Sequence, residues 1–259
     1  VNSRNWPSFY SRNTEELNQP YIYLTIKSLI KKCGNSFNIC LINDTSLPNI
    51  IPDWNIDMSS VPNPIKDKLR SLAKAKILKY YGGLFIPPSF LCLKNLKEIF
   101  YLKVNRNMIC LGELPNDGIS SSVSETIVSD NLIGSQKNNP IINEYVNYLE
   151  QMISNDYTAE SKFEGSLDRW LNKQIKIGNA NAIKSNLLGT KDEDGKLVRI
   201  EDLIGSSFVN FDCEALGIYI PQNELLKRID YQWFNRLNVK QIMESDTTLG
   251  KLFITSYNN

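Results

Sequence analysis

The chain has 259 residues, enough to bury a substantial core as one domain or as one domain with a subdomain. Its 29 basic and 28 acidic side chains leave a net charge of +1, so bulk electrostatics nominate neither nucleic acid nor a membrane surface as a partner. Histidine is absent, which excludes Ser-His and Cys-His nucleophile pairs, histidine zinc sites and histidine general bases.

Apolar residues make up 42% of the chain and charged residues 22%, ordinary for a soluble globular protein. No apolar run approaches the ~20 residues of a membrane span, so no transmembrane segment is expected in the chain. The sequence opens on Val1 rather than Met, which leaves room for a leader or anchor upstream. Five cysteines, Cys33, Cys40, Cys92, Cys110 and Cys213, lack C-x-x-C spacing, and Cys40, Cys92 and Cys110 sit inside apolar runs. They read as small buried hydrophobes in a reducing, cytoplasmic-type compartment.

In chain order, "NQPYIYLTIKSLIKKCG" predicts an amphipathic helix over 20–33, opened by Pro20, stopped by Gly34, with Ile22, Ile26, Leu29, Ile30 and Cys33 on its inner face. "FNICLIN" (37–43) is a short apolar run with the pattern of a strand covered on both faces. "NPIKDKLRSLAKAKILKYYGG" predicts a second helix over 64–81, with Asn63 as cap and Gly82 as stop. Strands are expected at 84–86, 108–113 and 131–135, and a third helix, capped by Asn139 and opened by Pro140, over 140–153. Residues 114–130, polar and Ser-rich, read as a mobile loop.

Helices alternating with buried strands indicate an α/β layer structure with a mostly parallel sheet. The four runs 37–43, 84–86, 108–113 and 131–135 are expected in that one sheet, with the three helices packed on it. After residue 155 the pattern changes. "SLDRWLNKQI" reads as a short helix, "KDEDGKLVRI" as an Asp-Gly turn leading into a strand, and "SFVNF" and "LGIYIPQ" as further strands. The segment from 221 onward mixes aromatic and helical stretches, "DYQWFNRL" among them. The expectation is a single domain, 1–259, with a core over 1–155 and a C-terminal α+β elaboration over 156–259.

Residues 69–96 carry a recognisable arrangement: a helix ending at Leu78, the turn Tyr81-Gly82-Gly83, the short strand Leu84 to Ile86, then "PPSFLCLKNL". This resembles the sugar-binding region of a glycosyltransferase family that includes the yeast initiating mannosyltransferase, capsular polysaccharide transferases and, more distantly, the glucosylating clostridial toxins. The family pattern is a helix with Ser-Asp and an Arg three residues after the Asp, a Gly-Gly turn, and an apolar strand delivering a D-x-D motif. The likeness extends more loosely over residues 20–155. It implies a GT-A-like, Rossmann-related sheet and a nucleotide-sugar site at Arg70, Ser71, Lys74, Tyr81, Gly82, Gly83, Pro87 and Ser89.

The scaffold matches and the chemistry does not. Ser71 stands at the helix Asp, Lys74 at the Arg, and Pro87 and Ser89 at the two D-x-D carboxylates. Transfer from a nucleotide sugar releases a diphosphate, whose growing negative charge the family stabilises with a divalent ion held by those carboxylates. Proline offers no side-chain oxygen and serine only a weak neutral ligand, so neither Mg²⁺ nor Mn²⁺ is expected as a cofactor.

The resemblance therefore implies a degenerate, catalytically silent protein acting as a structural or binding component, with other proteins of an assembly as partners. With its Asn-, Ile- and Lys-rich composition, the chain resembles glycosyltransferase-like proteins of giant DNA viruses, which implies virion association. One alternative is an active metal-independent hexosyltransferase in which Arg70 and Lys74, on a basic stripe with Lys66, hold the diphosphate. Mn²⁺ or Mg²⁺ would return only if an active site survived. A further alternative is a carbohydrate-binding module that keeps the cleft and its aromatics.

Ordinary structure accounts for many of the same residues. Gly82 and Gly83 fit a helix stop, Pro87-Pro88 a strand terminator, and Arg70 and Lys74 a solvated helix face. Glu113, Asp212 and Glu214 lie at expected strand ends as candidate bases. Trp6, Trp54, Trp170 and Trp233 suit stacking on a base or sugar, or plain packing.

Overall fold

A computed structural model describes residues 19–116, 125–155 and 160–258. Its elements, in chain order, begin with α1 (Tyr21–Cys33), α2 (Leu47–Ile50), α3 (Ile65–Tyr81), β1 (Gly83–Phe85), β2 (Phe90–Cys92) and α4 (Lys97–Lys103). Then come β3 (Ile109–Pro115), β4 (Thr126–Ser135), α5 (Pro140–Ser154), α6 (Glu160–Lys176) and β5 (Ala180–Ile183). The remainder is α7 (Ile200–Ile204), β6 (Gly217–Tyr219), α8 (Gln222–Lys227), α9 (Val239–Glu244) and α10 (Thr248–Asn258). The protein is thus a mixed α/β structure.

The described residues divide into two compact units, one within 19–36, 87–95 and 186–258, the other within 37–86 and 96–185. The second contains a four-stranded sheet in the order β1-β4-β3-β5. β4 runs antiparallel to both β1 and β3, and only β3 and β5 are parallel. The expected mostly parallel sheet is therefore corrected to a mixed one. The physical reason lies in residues 114–130: instead of a loop returning the chain through a helical crossover, Leu114–Pro115 and Thr126–Asp130 continue the strands, and β3 and β4 meet as a hairpin. Of the loop expected at 114–130, residues 117–124 lie outside the described residues.

Helices α3, α5 and α6 cover this sheet. Leu69, Leu72, Ile77 and Leu78 of α3 share one core with Ile109 and Leu111 of β3, Val128 and Ile133 of β4, Ile142, Tyr145, Val146 and Leu149 of α5, and Leu167 and Leu171 of α6. The division expected at residue 155 falls inside this unit, between α5 and α6. Helix α5 begins as its sequence requires, with the Asn139 side chain accepting a hydrogen bond from the Ile141 N–H at 2.8 Å and proline in the first turn. For α3 the cap position is Pro64, with no side-chain cap, so Asn63 does not serve there.

The run 37–43 forms no strand, and among the described residues its backbone bonds other backbone only locally, the Asn43 carbonyl accepting from the Ser46 N–H at 3.1 Å. Cys40 is exposed, as is Cys213, and Leu41 is 71% exposed, which corrects the reading of these two cysteines as buried hydrophobes. Apolar composition alone does not make a strand where no neighbour offers a ladder.

The first unit holds the two-stranded antiparallel sheet of β2 and β6. Its core joins Tyr21, Ile22 and Leu24 of α1 to Leu91 of β2, Leu203 of α7, Ile218 of β6, Ile242 of α9 and Phe253 of α10. Helix α1 therefore belongs to this unit and not to the four-stranded sheet. Its inner face is also rotated from the expected one: Thr25 and Ser28 are buried while Ile30 is 52% exposed. Those small hydroxyls do positional work, Thr25 Oγ1 donating to the Pro88 carbonyl and Ser28 Oγ accepting from the Cys92 N–H at 2.9 Å. The strand expected at "SFVNF" is absent, with Phe208 89% exposed. The Asp-Gly turn is present, the Gly195 N–H donating to the Asp192 carbonyl, but only an isolated bridge between Lys191 and Leu197 follows before α7.

Candidate functional site

Helix α3 delivers Arg70, Ser71 and Lys74 to neighbouring positions, since residues three and four apart share a helix face. Each cation finds carboxylates within its own unit. The Arg70 guanidinium forks onto Asp44, donating through Nε at 2.9 Å and through Nη2 at 2.6 Å, and its Nη1 reaches Asp67 at 2.8 Å. That bidentate hydrogen bond, with the guanidinium charge, holds the Asp44 carboxyl below the usual aspartate range.

Lys74 enters a more enclosed setting. Its Nζ lies 2.8 Å from Asp130 Oδ2, with the Asp130 side chain only 9% exposed. The Tyr145 hydroxyl donates to the same oxygen at 3.3 Å. Burial above all, and then the Asp130 charge, push the Tyr145 phenol well up, so it stays a protonated donor. Trp170 stacks on Tyr145 with centroids 4.9 Å apart and on Tyr148 at 5.6 Å, so this tryptophan closes a core cluster. Asp44, Asp130 and Tyr145 escaped the sequence reading. Asp130 sat at the edge of a polar segment taken for a loop, and only the antiparallel pairing of β4 turns it inward.

The glycine turn follows α3 directly. The Gly82 N–H donates to the Leu78 carbonyl and ends the helix, with φ at +68°. A Cβ there would lie 2.6 Å from the Lys137 backbone nitrogen, so glycine is required both by conformation and by the close approach of the β4–α5 connection. Gly83 has φ at +110° but open space where a Cβ would stand. Tyr81, 59% exposed, donates its hydroxyl to the Ile50 carbonyl at 2.7 Å.

Pro87 and Ser89 belong to the other unit, at the entrance to β2. The Pro87 carbonyl accepts from the Phe90 N–H at 3.0 Å, and the Ser89 carbonyl from the Ile220 N–H at 3.1 Å. Ser89 is only 2% exposed, so a carboxylate at that position would be buried. The eight residues expected to form one site thus divide between the units: Arg70, Ser71, Lys74, Tyr81, Gly82 and Gly83 in one, Pro87 and Ser89 in the other.

The candidate bases divide in the same way. Glu113 Oε2, near the end of β3, accepts from the Ser185 N–H at 3.0 Å and its hydroxyl at 2.9 Å, a fixed structural carboxylate. Asp212 accepts from the Glu214 N–H at 2.7 Å and from the Asn186 amide, and these bonds lower its carboxyl below the ordinary value. Glu214 pairs at the surface with Lys94 at 3.0 Å. Trp54 is buried and donates its Nε1–H to the Ile56 carbonyl at 3.1 Å, Trp233 is 44% exposed, and Trp6 lies outside the described residues. Among the described residues, no three or more cysteine or carboxylate side chains gather as metal ligands, and no helix is long and apolar enough to cross a membrane.

The class that fold and geometry define is a mixed α/β protein of two compact units, whose charged helix face is closed by its own carboxylates. No protein-family model, no curated protein and no solved structure matches the chain.

Proposed function

We propose that this chain is a non-catalytic, glycosyltransferase-like protein that works as a structural or binding component of an assembly, the resemblance to giant-virus proteins implying a viral particle as the setting. One observation carries the reading. The side chains at positions where the transferase pattern keeps ligands for donor and metal are engaged in holding the protein together. Arg70 is consumed by Asp44 and Asp67, and Lys74 by Asp130, while Ser89 is buried at the start of β2.

The same ion pairs count against the metal-independent transferase. A lysine that must hold a diphosphate would first have to leave a carboxylate buried and unpaired, a cost of several kcal/mol. The glycan-binding reading keeps one exposed aromatic among the described tryptophans, Trp233, because Trp54 and Trp170 are spent on packing.

The reading is tested by turnover. Purified protein incubated with UDP- and GDP-sugars and Mn²⁺ or Mg²⁺ should release no nucleoside diphosphate above the protein-free rate. Release that depends on the metal and stops with EDTA would overturn the proposal.

A further inference from the structure

Cys33 is the last residue of α1 and Cys92 the last of β2, and both belong to the same unit. Their sulfurs lie 3.8 Å apart, with the residues 1% and 0% exposed. The backbone around Cys92 is held from two sides, its N–H donating to Ser28 Oγ of α1 at 2.9 Å and its carbonyl accepting from Ser256 Oγ of α10 at 3.2 Å. The Cys92 thiol itself donates to the Lys94 carbonyl at 3.2 Å. Two thiols 59 positions apart in sequence are therefore delivered face to face by elements that do not depend on either sulfur.

From this geometry we infer that Cys33 and Cys92 are an oxidative-modification site, a dithiol that a two-electron oxidant of the peroxide class converts into a disulfide tying α1 to β2. The step balances without any other reactant. One cysteine sulfur attacks the peroxide O–O bond, becoming a sulfenic acid and releasing water. The second sulfur then displaces the hydroxyl, the S–S bond forms, and a second water leaves; two thiols are oxidised as one peroxide is reduced to two waters. The sulfurs close from contact distance to the ~2.05 Å of an S–S bond, a movement made easier by both cysteines being terminal residues of their elements.

Lys32 and Leu93, the chain neighbours of the two cysteines, line a cavity of about 230 Å³ together with Lys94, Cys213 and Ser256; neither Cys33 nor Cys92 lines it, so oxidation requires local opening of the unit. The hydrogen bond with Cys33 and then burial push the Cys92 thiol well up, and the Lys32 ammonium offsets this only in part. Reaction is accordingly slower than at the exposed Cys40 and Cys213, and linkage, not loss of thiol, is the quantity to follow. Cys110, buried and without a thiol neighbour, has no such partner to join. This inference does not depend on the protein being non-catalytic.

The test uses the full chain treated with hydrogen peroxide, then alkylated and digested without reductant. Mass spectrometry should find a Cys33–Cys92 linked peptide as the main intramolecular product, and the melting temperature should rise by several degrees and return on adding dithiothreitol. Cys33→Ser should abolish both the linked peptide and the shift. Peptide maps in which Cys33 and Cys92 stay reduced while Cys40 and Cys213 oxidise would overturn the proposal. Should Cys33→Ser fail to fold, the map of the unmodified chain alone decides.

Discussion

Lys74 and Asp130 form an ion pair that is largely shielded from water, and the consequences of breaking it differ from those at an exposed helix face. Truncating the lysine leaves the Asp130 carboxylate buried against Tyr145 with only a phenol to bond. Lys74→Ala should therefore destabilise the protein by about 2 to 4 kcal/mol in chemical denaturation, whereas a solvated lysine would cost little. An unchanged midpoint would mean that Lys74 is free in solution and available for a ligand. The two glycines at the end of α3 separate conformation from contact. Gly82→Ala meets the Lys137 backbone as well as an unfavourable φ and should cost about 3 kcal/mol; Gly83→Ala meets only the φ penalty and should cost about 1 to 2 kcal/mol. Equal losses at the two positions, measured in the same denaturation series, would contradict the close approach at Gly82.

Helices were readable because their signals are local. The Asn139-Pro140 start of α5 and the glycine stop of α3 lie within one turn of the elements they bound, and both stand where the sequence placed them. Strand pairing was not readable in that way. The run "FNICLIN" has the composition of a buried strand, yet whether it joins a sheet depends on distant residues that supply a partner, and none does among the described residues. Conversely, "PPSFLCLKNL" reads only as the continuation of the Gly-Gly turn and its strand, though within it β2 has Leu91 and Cys92 completely buried against α1 and β6. The face of α1 was misjudged because hydrophobicity ranked Ile30 above Ser28, whereas close approach to β2 calls for a small hydroxyl. Hydrogen exchange measures the distinction directly. Amides of 37–42 should exchange orders of magnitude faster than those of Cys110 and Leu111, whose strand is paired on both sides within the sheet. Comparable protection in the two stretches would show that 37–43 is a paired strand after all.

At the scale of the molecule, the chain passes between its two units after residues 36, 86, 95 and 185, so no cut in the sequence separates them. The core expected over 1–155 lacks β5, the parallel neighbour of β3, and α6, whose Leu167 and Leu171 fill the sheet's core. It keeps α1 against β2 but lacks β6, the strand partner of β2, and the helices α7, α9 and α10 that complete that core. A fragment ending at 155 should therefore be unfolded or aggregated, seen as loss of a cooperative thermal transition by circular dichroism; a cooperative transition would mean that the first 155 residues are self-sufficient. The candidate site shows the same limit of sequence reasoning. That "YGGLFIPPS" departs from the D-x-D pattern it resembles was legible in the sequence itself, because the identity of a residue is a local fact. That Arg70 and Lys74 are taken up by Asp44 and Asp130 was not, because each partner comes from a separate stretch of chain.

Calorimetric titration of UDP- and GDP-sugars in the presence of Mn²⁺, repeated with EDTA, tests the non-catalytic reading most directly. With proline and a buried serine where metal-binding carboxylates would stand, and with both helix cations already paired, the protein should show no heat of binding and no metal dependence at millimolar ligand. Micromolar affinity that disappears with EDTA would contradict it and place a working nucleotide-sugar site in this chain.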